Sequence, residues 1–212
     1  MNKEFLTISK YADAEIIIDK SKFIGYVKPV TDEAEAEAFI LSIKNMHKEA
    51  THNVPVYLIG EHYEIQRYSD DGEPSGTAGM PVLEMLKKEG ITNFAMVITR
   101  YFGGIKLGTG GLVRAYTKTA KTVLEKAGIV RKAEHELVSI IIDYSFLGKV
   151  QNMLTEGRYI VKDTVFLENV QFLIYTLPEE IDRLKETIVN TTNNQCEIKL
   201  LGREYVELRI DN

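Results

Sequence analysis

Phe94-Ala-Met-Val-Ile-Thr-Arg-Tyr-Phe-Gly-Gly-Ile-Lys-Leu-Gly-Thr-Gly-Gly-Leu-Val-Arg-Ala-Tyr116 decides how this chain is built. Phe94 to Ile98 is an unbroken apolar run, the pattern of a strand covered on both faces. Tyr101 to Gly111 is a loop carrying five glycines. A helix is expected from about Leu112 to Lys126, with Gly128 at its end. Leu112, Tyr116, Ala120, Val123 and Ala127 would form its apolar stripe. Arg114, Lys118 and Lys121, spaced i, i+4, i+7, would share another face. A strand that passes through glycines into a helix can turn peptide N–H groups toward an anion.

Upstream, Glu15 to Asp19 and Phe23 to Val27 read as strands. Thr31 or Asp32 is the expected cap of a helix running to about His47. Val54 to Ile59 and Tyr63 to Tyr68 read as paired strands. Ser69-Asp-Asp-Gly-Glu-Pro-Ser-Gly-Thr-Ala-Gly79 is loop chemistry, and Pro81 and Gly90 bracket a helix. Downstream the expected order is strand (Leu137 to Asp143), helix, two strands (Tyr159 to Phe166 and Val170 to Tyr175), a helix opening at Pro178, and a strand from Cys196 broken at Gly202. This is the split βαββαβ order. The expected fold class is α+β, with domains at 1–134 and 135–212 and a polar joint at Arg131 to Glu136.

Composition excludes some functions. The 212 residues are 44% hydrophobic and 27% charged, enough apolar material for a real core in a soluble protein. A lone cysteine, Cys196, allows no intrachain disulfide. No apolar run approaches the ~18 residues of a membrane span, and Met1 to Lys10 has no secretory signal pattern. A cytoplasmic location is the expectation. Net charge is −5. Residues 1–134 hold 18 basic and 18 acidic side chains, and residues 135–212 hold 8 and 13. Neither part resembles a strongly basic nucleic-acid module. Yet Gly90 to Leu124 contains no acid and five cations: Arg100, Lys106, Arg114, Lys118 and Lys121. Such a segment can present a local basic patch.

Two loops therefore carry the candidate chemistry. In the second, Gly103, Gly104, Gly108, Gly110 and Gly111 permit close approach, with Thr109 among them. A P-loop needs lysine where Thr109 stands, and a dinucleotide fingerprint needs glycine where Val113 stands. The choice stays between an anion contact and a tight packing turn with solvated lysines. In the first, Asp70, Asp71 and Glu73 are hard ligands that suit Mg²⁺, or an acidic turn that pairs with Arg67 or Arg100. Ser69 and Ser75 are nucleophile candidates without a partnered histidine at a recognisable spacing. His52 is placed to reach the same pocket, or to serve as a hydrogen-bonded histidine at the core edge. Tyr68, Tyr101 and Phe102 border the loops and offer rings for stacking, or for walling the core.

These residues carry a resemblance. Arg67 to Gly79 and Val97 to Tyr116, with Ser21-Lys-Phe-Ile-Gly25 and Ala50-Thr-His-Asn53, resemble the signature blocks of the IMPACT/YigZ family. The resemblance implies a first domain with the fold of a ribosomal-protein domain, elongation factor G domain IV and the GHMP kinases. It implies a ferredoxin-like second domain akin to the last domain of elongation factor G. Eukaryotic relatives regulate translation through a stress kinase and carry an additional N-terminal domain that this chain is expected to lack, so that partner is not carried over. The expected function is non-enzymatic RNA or ribosome binding in translation regulation, without a cofactor and without a membrane. Alternatives are a Mg²⁺-dependent enzyme acting on a phosphate-containing small molecule, and a protein-binding regulator.

Overall fold

A computed structural model describes residues 4–208. Within the described residues the chain divides into two compact units, Phe5–Arg131 and Lys132–Leu208 with Glu4. Together they hold ten strands and five α-helices, a mixed α+β architecture.

The first unit contains β1 (Glu4–Ile8) from Phe5 onward, β2 (Ala12–Ile18), β3 (Ser21–Pro29), α1 (Glu33–Met46), β4 (His52–Ile59), β5 (Ile65–Tyr68), α2 (Gly79–Lys88), β6 (Phe94–Tyr101) and α3 (Gly108–Ala127). Five strands form an antiparallel sheet in the order β2-β3-β6-β4-β5. The central strand β6 explains the apolar run. Phe94, Met96 and Ile98 join the core under α2 and α3, while Ala95 and Val97 join the core under α1. Alternation by two residues places both sets correctly, so every position must be apolar. Gly25 on β3 faces α3, where a Cβ would lie 3.1 Å from both Thr119 and Val123. Its missing side chain lets the helix close on the sheet. Asp32 caps α1 by accepting from the Glu35 amide, as one of the two expected caps.

Three local readings are corrected. α3 begins at Gly108, four residues before the expected start, because the glycines are themselves its first turn. β1 was not foreseen, since Phe5-Leu-Thr-Ile8 is too short to show a period. It is held where the Ser9 amide donates to the Gly128 carbonyl and the Thr92 amide to the Leu6 carbonyl.

The second unit takes its first strand from β7 (Ile129–Ile142), so residues 131–136 are strand. It continues with α4 (Leu147–Glu156), β8 (Ile160–Phe166), β9 (Val170–Thr176), α5 (Ile181–Thr191) and β10 (Cys196–Leu208). In its five-stranded sheet β8 pairs with β9, β9 with β7, and β7 with both β10 and β1. Val138, Ile140, Phe172 and Ile174 pack against Val150, Leu154, Leu184 and Ile188. The third correction lies here: β10 runs through Gly202, whose φ of 130° replaces the expected break. Among the described residues, no helix is long and apolar enough to cross a membrane.

Candidate functional site

The end of β6, the start of β4 and the N-terminus of α3 meet at one end of the first unit's sheet. Register sets the site. His52 on β4 and Phe23 on β3 both pair with Arg100 on β6. Arg100 lies two residues beyond Ile98 and so points to the α3 side, where it is 5% exposed. Its Nη1 donates to Glu73 Oε1 at 2.7 Å, and its guanidinium lies 5.4 Å from the Phe23 ring and 5.5 Å from the Phe102 ring. Tyr116, fully buried in the α3 stripe, donates its hydroxyl to the same Glu73 oxygen at 2.7 Å. Burial, and then the charge of Glu73, push the Tyr116 phenol far above its ordinary value. His52 Nε2 stands 3.7 Å from Glu73 Oε1. Its Nδ1 meets the Asp71 carbonyl at 2.8 Å; that oxygen only accepts, so Nδ1 carries the proton.

Of these groups His52, Glu73 and Arg100 line a pocket of about 410 Å³. Thr51, Pro74, Phe102, Leu107 and Leu112 line it as well, and Lys106, Gly108 and Thr109 bring the start of α3 to it. Helix α3 has no side-chain cap. Its first-turn amides therefore keep free donors beside the pocket, where the helix dipole favours an anion. Arg114 curls back over this turn, with Nη1 3.5 Å from where a Gly110 Cβ would stand.

The first loop, by contrast, is tied down through its acids. Asp70 accepts from the amides of Gly76, Ala78 and Gly79, capping α2. Asp71 accepts from the Asn53 amide at 2.7 Å and from Lys44 Nζ at 2.9 Å. Glu73 holds Arg100. The three carboxylates point to three different partners, and no metal-binding group of three or more His, Cys, Asp or Glu side chains occurs among the described residues. The carboxylates offered as possible Mg²⁺ ligands, or as an acidic turn pairing with Arg67 or Arg100, thus point apart, and Glu73 takes Arg100. Ser69 Oγ accepts from the Asp71 amide, and Ser75 is exposed.

The structure thus brings His52, Glu73, Arg100, Lys106, Gly108 and Thr109 to one pocket. Arg100 departs from its expected role as an open phosphate contact, because burial has paired it with Glu73. Gly110 and Gly111 continue the first turn of α3. Gly103 serves packing, since a Cβ there would overlap the Lys20 and Ser21 backbone, whereas Gly104, at φ 84°, meets open space. Lys118 and Lys121 are exposed on α3 but run away from the pocket; thirteen residues from Gly108 place Lys121 roughly 20 Å along the axis. Arg67 lies 3.7 Å from Glu33, and Tyr68 is exposed on the edge strand β5. Tyr101 faces the opposite side of the sheet and meets His47 Nδ1, whose Nε2 meets the Tyr26 hydroxyl. Burial, and then Lys22, lower the His47 pKa. Tyr116 and this Tyr26–His47–Tyr101 chain were not anticipated. A signal for Tyr116 was present, because a tyrosine in a buried helix stripe needs a partner for its hydroxyl.

Comparison with known proteins agrees along most of the chain. The Impact N-terminal domain family matches residues 19–124, and a domain of unknown function (DUF1949) matches residues 140–195. The IMPACT family member YvyE of Bacillus subtilis is 41% identical over 212 residues, covering 100% of this chain and 98% of that protein. The IMPACT family member YigZ of Escherichia coli is 35% identical over 150 residues, covering 69% and 74%. A solved structure titled as a crystal structure of a hypothetical protein superposes with a TM-score of 0.61 at 25% identity, covering 95% of this chain and 98% of its own. With an Impact N-terminal domain around the pocket and relatives of this identity along its length, the chain belongs to the IMPACT family.

Proposed function

We propose that this chain is a non-enzymatic regulator of translation that binds RNA, free or in the ribosome, through the open end and basic edge of α3. One observation carries the reading. Lys106, Arg114, Lys118 and Lys121 form no ion pair among the described residues, while Asp70, Asp71 and Glu73 are committed elsewhere. The basic edge is therefore not neutralised by the acidic loop beside it. Phosphate oxygens match both the cations and the free helix amides.

The topology supports the same reading by analogy. The second unit has the βαββαβ order with β10-β7-β9-β8 adjacency, the arrangement of a ferredoxin-like domain. With a first unit like elongation factor G domain IV, this pairs two translation-factor folds in one cytoplasmic protein. The Mg²⁺-dependent alternative has weaker support, because its carboxylates diverge.

The test is RNA binding and ribosome co-sedimentation across a salt series. Two lost contacts in Arg114→Glu plus Lys118→Glu should weaken binding and flatten the log–log salt slope by about 1 to 2. An unchanged affinity would remove this surface from consideration.

A further inference from the structure

The pocket beside α3 has one feature that a backbone-binding edge does not need. Glu73 Oε1 already receives Arg100 and Tyr116, but Oε2 accepts no hydrogen bond among the described residues. The side chain is 2% exposed and lines the pocket. This oxygen is not sealed inside the protein, so as part of a pocket-lining carboxylate it is an acceptor open to a ligand. Arg100 cancels its charge, so what Oε2 calls for is an N–H group. Phe102, Leu107 and Leu112 line the same pocket, apolar and partly aromatic. At 47% exposure the Phe102 ring has a free face, and Arg100 backs it at 5.5 Å. Lys106 and the uncapped α3 amides stand at the end of the same pocket. A ligand that satisfies all three regions has an amino group at one end, a flat ring in the middle and an anion at the other. The volume of about 410 Å³ falls in the ordinary small-ligand range of ~300–1,000 Å³.

We infer that this pocket takes one unstacked nucleotide that bears a base amino group. The base amine meets Glu73 Oε2, the ring stacks on Phe102, and the 5′-phosphate meets Lys106 and the first turn of α3. The nucleotide comes either free or as a splayed residue of single-stranded RNA, the form in which base edges become readable. The RNA arm rests on the function proposed above; the mononucleotide arm does not. Adenine, cytosine and guanine fit. Uracil does not, because its one ring N–H stands between two carbonyl oxygens that a carboxylate repels.

The experiment titrates the full chain with AMP, GMP, CMP, UMP and purine riboside 5′-monophosphate by calorimetry. In parallel it compares adenosine-rich, uridine-rich and blunt duplex RNA of equal length. Replacing AMP by purine riboside monophosphate deletes the amine without touching the protein, and should weaken binding roughly tenfold or more. Phe102→Ala, at an exposed position, should cost roughly tenfold for every base. Glu73→Gln, where it folds, should erase the amine preference. Equal affinity for AMP and purine riboside monophosphate, together with adenosine-rich RNA bound no better than uridine-rich RNA, overturns the pocket. Salt-sensitive RNA binding could survive that result, leaving the basic edge intact. Base-selective binding of mononucleotides without any RNA binding would uphold the pocket and overturn the RNA reading.

Discussion

The two glycine-rich loops, residues 69–79 and 101–111, look alike as loop chemistry and work in opposite ways. In the first, each acid replaces a piece of regular structure. Asp70 caps α2, Asp71 ties the loop to β4 and α1, and Glu73 reaches into the core to hold Arg100. In the second, glycines replace side chains so that β6 can turn into α3, and beyond Arg100 the nearby cations Lys106 and Arg114 form no ion pair among the described residues. A charged residue in the first loop is thus part of the scaffold, and one in the second is available to a partner. Substitutions in the two loops should differ accordingly.

The largest effect belongs to the Glu73–Arg100 pair. Arg100→Met leaves a buried carboxylate without its cation, which typically costs about 3–5 kcal/mol. Urea unfolding of this variant should show that loss, with Tyr116 and His52 as the remaining neighbours of Glu73. Arg100→Met combined with Glu73→Gln should recover part of it, because the uncompensated charge is gone. A loss under about 1 kcal/mol in the single variant would mean that solvent reaches the pair and that the first loop is not part of the core.

Next comes Gly103, where the second loop also acts as scaffold. Any side chain there meets the backbone between β2 and β3, which cannot rotate away. Gly103→Ala should cost about 1–3 kcal/mol as overpacking, whereas Gly104 meets no atom within 4 Å and would suffer only from its positive φ. Asp70→Ala should come after it, with a loss of about 0.5–2 kcal/mol for a helix cap. Both are read by the same unfolding curves. If Asp70→Ala is silent, the three amides it serves find water instead.

Much of this contrast could be read from the sequence, and the part that could not is long-range. Strand β6 and helix α3 announce themselves through period and glycine placement. Asp32, Pro81 and Gly128 mark helix ends by local chemistry alone. The direction of Arg100 was also within reach. Phe94, Met96 and Ile98 define the α3 side of β6, and Arg100 continues that series, so it points inward rather than to solvent. Its partner was harder to choose, because Glu73 lies 27 residues away and Asp70 and Asp71 offered the same charge. Only the fold of the loop separates them. The start of α3 was hidden for a different reason. Glycine is a poor helix former, and Gly108 to Gly111 are held helical by the packing of Leu112, Ala115 and Tyr116 in the next turns of the same helix.

The smallest expected effect is the sharpest test of the comparison. Arg114→Glu plus Lys118→Glu reverses two exposed charges on α3 that form no ion pair among the described residues. Surface changes of this kind usually stay within about 0.5 kcal/mol for each site. A small penalty is expected at Arg114's position from lost packing over Gly110, and a small gain from acid near a helix N-terminus; these oppose each other. The unfolding midpoint should therefore barely move, while the RNA affinity of the same protein falls. If stability drops by about 2 kcal/mol or more, well beyond the surface range, these cations are structural after all. The second loop would then join the first as scaffold, and a loss of RNA binding in the variant would report unfolding rather than a missing contact.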